Sequence, residues 1–305
     1  MKILVTGGCG FIGSHIVDAY IEHGNDVVII DNLSTGDIKN RNPQARFYQK
    51  DICDKSIDSI FAQEQFDTIN HHAAQINVRT SVEDPLFDAN VNIMGSINLL
   101  MLAVKHGVKK FIFASSGGAV YGEPRTFPIT EEFTPMPASP YGISKMTIEH
   151  YIKLFAQLYG IDYFVFRYSN VYGPRQIAKS EAGVISIFIQ EILNDGTCII
   201  FGDGKQTRDY VYVSDVVAAN IAALDHASQV LNIGTGKETS VNDLIHMLER
   251  VTKRKVAYEH GPERPGEVSR NVVDYSRASA AIDWQPHVTL EQGMQETFDY
   301  FKKIS

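Results

Sequence analysis

The sequence predicts an α/β fold: a doubly wound parallel sheet followed by a smaller mixed α/β C-terminal domain. Three observations carry this expectation. Short apolar runs alternate with amphipathic stretches through the first half, a glycine-rich turn joins the first run to the first helix, and the rhythm changes after "RYSNVYGPRQ". Strands that alternate with helical stretches build parallel sheets covered by helices on both faces. At 305 residues, with 44% hydrophobic and 21% charged residues, the chain has the size and composition to bury a substantial core.

Taken in order, "KILVTG" reads as a buried strand running into a helix over residues 11–23. The strands "DVVIID", "ARFYQKD", "FDTINHHA", "KKFIFASS" and "DYFVFRYS" follow, separated by helical stretches near 55–64, 86–106 and 140–159. Pro140 suits the first turn of the last of these, where Ile143, Met146, Ile148, Tyr151, Ile152, Leu154 and Phe155 recur at helical spacing. Beyond it, the extended pieces "TCIIFG" and "RDYVYV" interleave with helices near 183–194, 214–226, 240–252 and 290–302. The expected domains are residues 1–167 and 168–305. The segment 211–236 is free to return to the large sheet, because "VLNIGTG" also reads as a buried strand.

Charge and composition exclude several classes. A formal net charge of -8 repels a phosphate backbone, and the longest basic cluster is "VTKRK", so nucleic acid is not an expected partner. No apolar run is expected to span a bilayer, and no membrane partner is expected. Glycines interrupt "MKILVTGGCG" too early for a secretory segment, so the mature chain is expected to start near Met1. Cys9, Cys53 and Cys198 form no CxxC pair, which points away from a disulfide framework or a zinc site and toward a reducing cytoplasm. His71 and His72 are neighbours on a strand and point to opposite sides, so no metal is expected there.

Two local patterns carry chemistry. Gly7, Gly10 and Gly13 stand at the first strand-to-helix turn with spacing GxxGxxG, one residue longer than GxGxxG. A pyrophosphate needs backbone without Cβ atoms for close approach, and it gains from free helix-terminal amides. Glycines at such a position also simply make the turn. Asp31 ends the second strand where a carboxylate meets an adenosine ribose and repels the extra phosphate of NADP, so NAD is the expected cofactor of a Rossmann-type domain. Asp31 equally suits a turn in "DNLSTG". The second pattern is Tyr141 and Lys145, four apart on one helix face. A phenol with a pKa near 10 is a weak base at neutrality. A neighbouring ammonium favours its ionised form, and burial opposes it.

The ordered motifs "TGGCGFIG", "DNLSTG", "HHAAQ", "SSGGAVYG", "YGISK", "RYSNVYGP", "FGDGKQTRDYVYV", "NIGTG" and "RPGE" span almost the whole chain. In them the sequence resembles the extended short-chain dehydrogenase/reductase family, and more narrowly its nucleotide-sugar members. The resemblance implies an NAD-dependent epimerase that inverts C4 of a UDP-hexose through a 4-keto sugar. It places Gly7, Gly10, Phe11, Ile12, Gly13, Asp31, Asn32, Thr35 and Gly36 at the cofactor, and it sets Asp51 and Ile52 about the adenine. Ala73, Ala74, Gln75 and Asn92 would line the cofactor, with Tyr168 and Ser169 near its nicotinamide.

Tyr141 matches the family's acid/base and Lys145 its electrostatic partner and ribose ligand. The catalytic hydroxyl falls on Ser116 counting from "FIF", with Ser115 as the alternative. On the substrate side the resemblance implies Asn170, Arg208 and Arg264 near the diphosphate or sugar, Glu267 near the uridine ribose, and Phe201 stacked on the base. Arginine's planar fork suits phosphate oxygens. Restrictive relatives carry a tyrosine where this chain has Asn271, so an N-acetyl group is expected to fit. Dehydratase and decarboxylase relatives place an acid beside the hydroxyl, whereas this chain has Gly117 and Gly118. A noncatalytic NAD-binding protein is the rival of a different class, and retention of Tyr141 and Lys145 speaks against it. The resemblance also implies a homodimer formed by the helices near 86–106 and 140–159.

Overall fold

The computed structural model describes residues 1–177, 183–263 and 268–304. The first half comprises β1 (Lys2–Thr6), α1 (Phe11–Glu22), β2 (Asp26–Asp31), β3 (Arg46–Gln49), α2 (Asp58–Glu64) and β4 (Thr68–His71). It continues through α3 (Val78–Glu83), α4 (Pro85–Ala89), α5 (Gly95–His106), β5 (Lys110–Ser116), α6 (Pro140–Tyr159) and β6 (Asp162–Tyr168). Then come β7 (Asn170–Tyr172), α7 (Val184–Leu193), β8 (Cys198–Phe201), β9 (Thr207–Arg208), β10 (Tyr210–Tyr212), α8 (Val213–Ala222) and β11 (Gln229–Ile233). The chain closes with β12 (Thr239–Ser240), α9 (Val241–Thr252), β13 (Tyr258–Gly261), β14 (Arg270–Asn271), α10 (Ser276–Ile282) and α11 (Leu290–Ile304).

Seven parallel strands form the main sheet in the order β11-β6-β5-β4-β1-β2-β3. The six expected strands are present, and the segment that was free to return does so: Ile233 of β11 pairs with Tyr168 of β6. Alternation along each strand feeds two cores. Ile3, Val5 and Ile29 pack with Ile16, Val17 and Tyr20 of α1 on one face. Leu4, Val28 and Phe111 pack with Phe61, Leu99 and Ile148 of α2, α5 and α6 on the other. A third core, with Phe188, Leu244, Leu248 and Phe298, joins α7, α9 and α11 in the C-terminal part. Order reverses between β1 and β4, so a crevice opens at the carboxyl ends of these strands, where open α/β sheets bind ligands.

The stretch expected as one helix over 86–106 is interrupted. α4 passes into α5 through a π turn at Asn90–Met94, whose wider winding inserts an extra residue. Taken together, Pro85–His106 is long and apolar enough by length and composition to cross a membrane, which corrects the expectation that no run reaches that length. Its inner side holds Asp88, Asn92 and Ser96, all buried and hydrogen-bonded, and it packs against α6.

Candidate active site

The crevice starts with the glycine turn. Gly7 has a φ of +70°, and a Cβ on it would lie 2.7 Å from the Ala73 amide nitrogen, so β1 and β4 come together here only through glycine. A Cβ on Gly13 would lie 2.2 Å from the Gly7 carbonyl oxygen. Gly10 caps α1 with extended backbone and no side-chain acceptor. The first amides of α1 therefore have neither an intrahelical partner nor a capping side chain, and a pyrophosphate supplies the acceptors that such a terminus favours. Residues Phe11, Ile12 and Gly13 form this first turn.

Asp31 is 6% exposed at the end of β2. Its Oδ2 accepts from the Cys9 amide at 2.9 Å and its Oδ1 from the Leu33 amide at 2.8 Å. Each oxygen keeps a lone pair for a ribose hydroxyl, so the turn role and the cofactor role coexist in one side chain. Gly36 lies against it: a Cβ there would sit 3.1 Å from both carboxylate oxygens. Asn32 Nδ2 donates to Asp51 Oδ2 at 2.7 Å, which joins the ends of β2 and β3. Thr35 is exposed in the same loop, and Ile52 is buried in the core beneath α5. The donor set and the glycine cradle fit NAD.

Past β4, Ala73, Ala74 and Gln75 are half-buried. Gln75 and Asn92 are locked together, the Gln75 amide donating to Asn92 Oδ1 and Asn92 Nδ2 donating to the Gln75 carbonyl, both at 2.9 Å. Of the adjacent histidines, His71 lies between the Thr6 and Ser96 hydroxyls at 2.7 and 2.8 Å, and burial holds it well below its ordinary value. Burial lowers His72 to about 3. Among the described residues no His/Cys/Asp/Glu group could hold a metal ion.

α6 begins with Ser139 capping the Gly142 amide and Pro140 in its first turn, which sets Tyr141 at the mouth of the crevice. The Ser116 hydroxyl at the end of β5 is the polar neighbour that favours ionisation of the Tyr141 phenol. Lys145 is 4% exposed, its Nζ 5.8 Å from the Tyr141 ring centre and 4.8 Å from that of Phe113, and it donates to the Ala114 carbonyl at 2.8 Å. Burial pushes the phenol up to about 12, and the Ser116 hydroxyl acts in the opposite direction. Burial also pulls the ammonium down to about 8, with Asp88 and Glu149 holding it up.

Ser115 points the other way. Its hydroxyl donates to Glu149 Oε1 at 2.6 Å, and Glu149 forms a buried pair with Arg167 at 2.6 Å. Tyr168 was expected beside the nicotinamide, but its hydroxyl is turned into the interior, where Asn220 Nδ2 donates to it at 2.8 Å. Ser169 is buried with its Oγ unpartnered.

Asn170, Phe201 and Arg208 are half-buried on β7, β8 and β9. Asn170 Nδ2 donates to the Asp209 carbonyl at 3.2 Å, and Arg208 Nη1 donates to its neighbour's carbonyl at 2.8 Å. Arg264 and Glu267 lie outside the described residues. Asn271 is buried, its Nδ2 donating to the Gly117 carbonyl at 3.1 Å and its Oδ1 without a partner. Sequence reasoning missed Asp88, whose carboxylate accepts from Gln75, Asn92 and Ser144. Nothing in local spacing marks it.

This sheet and its glycine-lined crevice define a Rossmann-type, dinucleotide-binding enzyme class. More particularly, the chain belongs to the NAD dependent epimerase/dehydratase family, whose model matches residues 3–234. A Methanocaldococcus jannaschii protein, provisionally named a UDP-glucose 4-epimerase, is 50% identical over 300 residues, covering 98% of each chain. The UDP-glucose 4-epimerase of Thermotoga maritima, solved with UDP-glucose, is 47% identical with a TM-score of 0.96, covering 100% of this chain and 99% of that one. The UDP-glucose 4-epimerase of Thermus thermophilus, solved with NAD, is 38% identical with a TM-score of 0.96 and full coverage of both chains.

Proposed function

We propose that this enzyme inverts C4 of a UDP-hexose, interconverting UDP-glucose and UDP-galactose, with tightly held NAD. The observation that carries the reading is buried Lys145 with its nitrogen 5.8 Å from the Tyr141 ring centre, beside Ser116 and a glycine cradle that fits a dinucleotide. When bound, NAD supplies a hydride acceptor that returns the hydride to the opposite face of the 4-keto sugar. Tyr141 takes the proton of the 4-hydroxyl and gives it back, so acid and base are one residue. Ser116 orients the phenol and relays the proton, and its position on the crevice side selects it over Ser115. Lys145 holds the nicotinamide ribose and favours the phenolate.

Gly117 and Gly118 offer no carboxylate for a further proton transfer, which favours epimerisation over dehydration or decarboxylation. Asn271 is smaller than tyrosine and buried beside Gly117, which favours acceptance of N-acetylhexoses as well.

We assign cofactor binding to residues 1–167 and substrate binding to 168–305, with 211–236 contributing to the large sheet. Asn170, Phe201, Arg208, Arg264 and Glu267 serve the nucleotide sugar in this reading. We also propose a homodimer through the outer sides of α4, α5 and α6, where Leu86, Met94, Met101 and Leu158 are exposed. A cytoplasmic setting suits the free cysteines Cys9, Cys53 and Cys198.

The test is direct. Purified protein without added NAD is incubated separately with UDP-glucose, UDP-N-acetylglucosamine and UDP-glucuronate, and products are resolved. A C4 epimer of UDP-glucose is expected, and Tyr141→Phe is expected to lose about a hundredfold or more in kcat while retaining NAD. Unchanged turnover by that variant would remove Tyr141 from its role.

A further inference from the structure

Asp88 is a fully buried carboxylate in the inner face of α4, and among the described residues the side chains that donate hydrogen bonds to it are neutral. Gln75 Nε2 and Asn92 Nδ2 each donate to its Oδ1 at 2.9 Å, and the Ser144 hydroxyl donates to its Oδ2 at 2.6 Å. A buried anion is costly unless a counter-charge lies near. Ser144 adjoins Lys145 in sequence and follows Tyr141 by three residues on α6, so the carboxylate lies beneath the reacting pair. The three donors come from three places: the loop after β4 that lines the cofactor crevice, the π turn, and the catalytic helix. The π turn matters because its extra residue changes the face on which Asn92 emerges.

We infer that Asp88 is a positioning residue of the reaction: its carboxylate ties Gln75, Asn92 and Ser144 into one clamp and supplies the negative charge that balances buried Lys145. This inference rests on the reading of Tyr141 as the acid/base. The charged and titratable groups around the clamp are few. α6 presents Tyr141, Lys145 and, a turn further on, Glu149, which is paired with Arg167 of β6. On α3, Arg79 and Glu83 are exposed, and the end of β4 contributes His71 and His72, both held neutral by burial. Against the burial that lowers Lys145, Asp88 and Glu149 both favour its charged form, and Asp88 adds to the burial that opposes ionisation of Tyr141. A base that must also return its proton gains from that opposition, because a phenolate stabilised too far becomes a poor acceptor.

The variant Asp88→Asn keeps size and removes charge. Expected is a loss of about tenfold or more in kcat for UDP-glucose with KM little changed. Removing an anion beside a phenol lowers the phenol's pKa, and Glu149 remains to favour the charged form of Lys145, so the rising limb of kcat against pH should move to lower pH, by about one unit. Asp88→Glu restores the charge and should bring the limb back. Ser144→Ala cuts one link and leaves the carboxylate, so it should slow turnover about threefold without moving the limb. It also serves if Asp88→Asn does not fold.

A merely structural role would lower Tm and NAD content but leave the limb in place. Wild-type kcat and limb in both Asp88→Asn and Ser144→Ala would overturn the proposal, as would a limb that moves upward in Asp88→Asn. Should the wild-type protein turn over no UDP-hexose, the reaction itself is refuted. The Asp88 charge is then read from the tyrosinate absorbance of NAD-loaded protein, with Tyr141→Phe as the blank: an Asp88→Asn curve shifted to lower pH upholds the charge role, and a coincident curve overturns it.

Discussion

Lys145→Met keeps a long side chain and removes the charge whose nitrogen lies 5.8 Å from the Tyr141 ring centre. A cation near a phenol lowers its pKa, so its loss raises the pKa, and the rising limb of kcat against pH moves to higher pH. A displacement of about one unit, with about tenfold slower turnover near neutrality, is expected in rates measured across pH at saturating UDP-glucose. At Asn271 the issue is space. Asn271→Tyr places a ring where a buried amide meets the Gly117 carbonyl, and kcat/KM for UDP-N-acetylglucosamine should fall about tenfold or more relative to UDP-glucose in a competition assay. Tyr141 and Lys145 were legible as a pair because helix periodicity puts residues four apart on one face, whereas the choice of Ser116 came from the resemblance, by counting from "FIF". Asp88 was not, because its meaning comes from Gln75, Asn92 and Ser144, which only long-range packing brings to it.

Among the elements, the turn between β1 and α1 has no room for added bulk. Gly13→Ala would set a methyl group 2.2 Å from the Gly7 carbonyl oxygen, a backbone atom that cannot swing aside. A cost of about 1–3 kcal/mol in stability is expected, together with loss of co-purifying NAD, read by thermal unfolding and by cofactor release on denaturation. The main-sheet strands and most helices were readable from hydrophobic period alone, since each presents one apolar side to a core. The π turn at Asn90–Met94 was not readable, because the residues around it keep an apolar pattern that an uninterrupted helix would also show. The orientation of Tyr168 was hidden for a related reason. Strand alternation allows either face, and pairing with Asn220 of α8 decides for the interior.

For the molecule as a whole, the outer sides of α4, α5 and α6 leave large apolar side chains in solvent, Leu86 at 83% and Leu158 at 59% exposure. Contiguous exposure of this kind marks an interaction site. If the proposed dimer forms through this surface, the parent should sediment as a dimer and the double variant Leu86→Asp, Leu158→Asp as a monomer. The fold class was legible throughout the first half, where each strand is followed by its crossover helix. The return of β11 to the sheet stood only as one option, because a short buried strand carries no sign of which edge it will join.

That return has a consequence for how the protein comes into being. The outer edge of β6 is covered by Gln229–Ile233, so a nascent chain carries an open row of backbone donors and acceptors until about three quarters of it has been made. A ribosome that stalls before this point releases a fragment with a ready template for pairing with its own kind. Synthesis must run well past Lys145 before β6 has its partner strand.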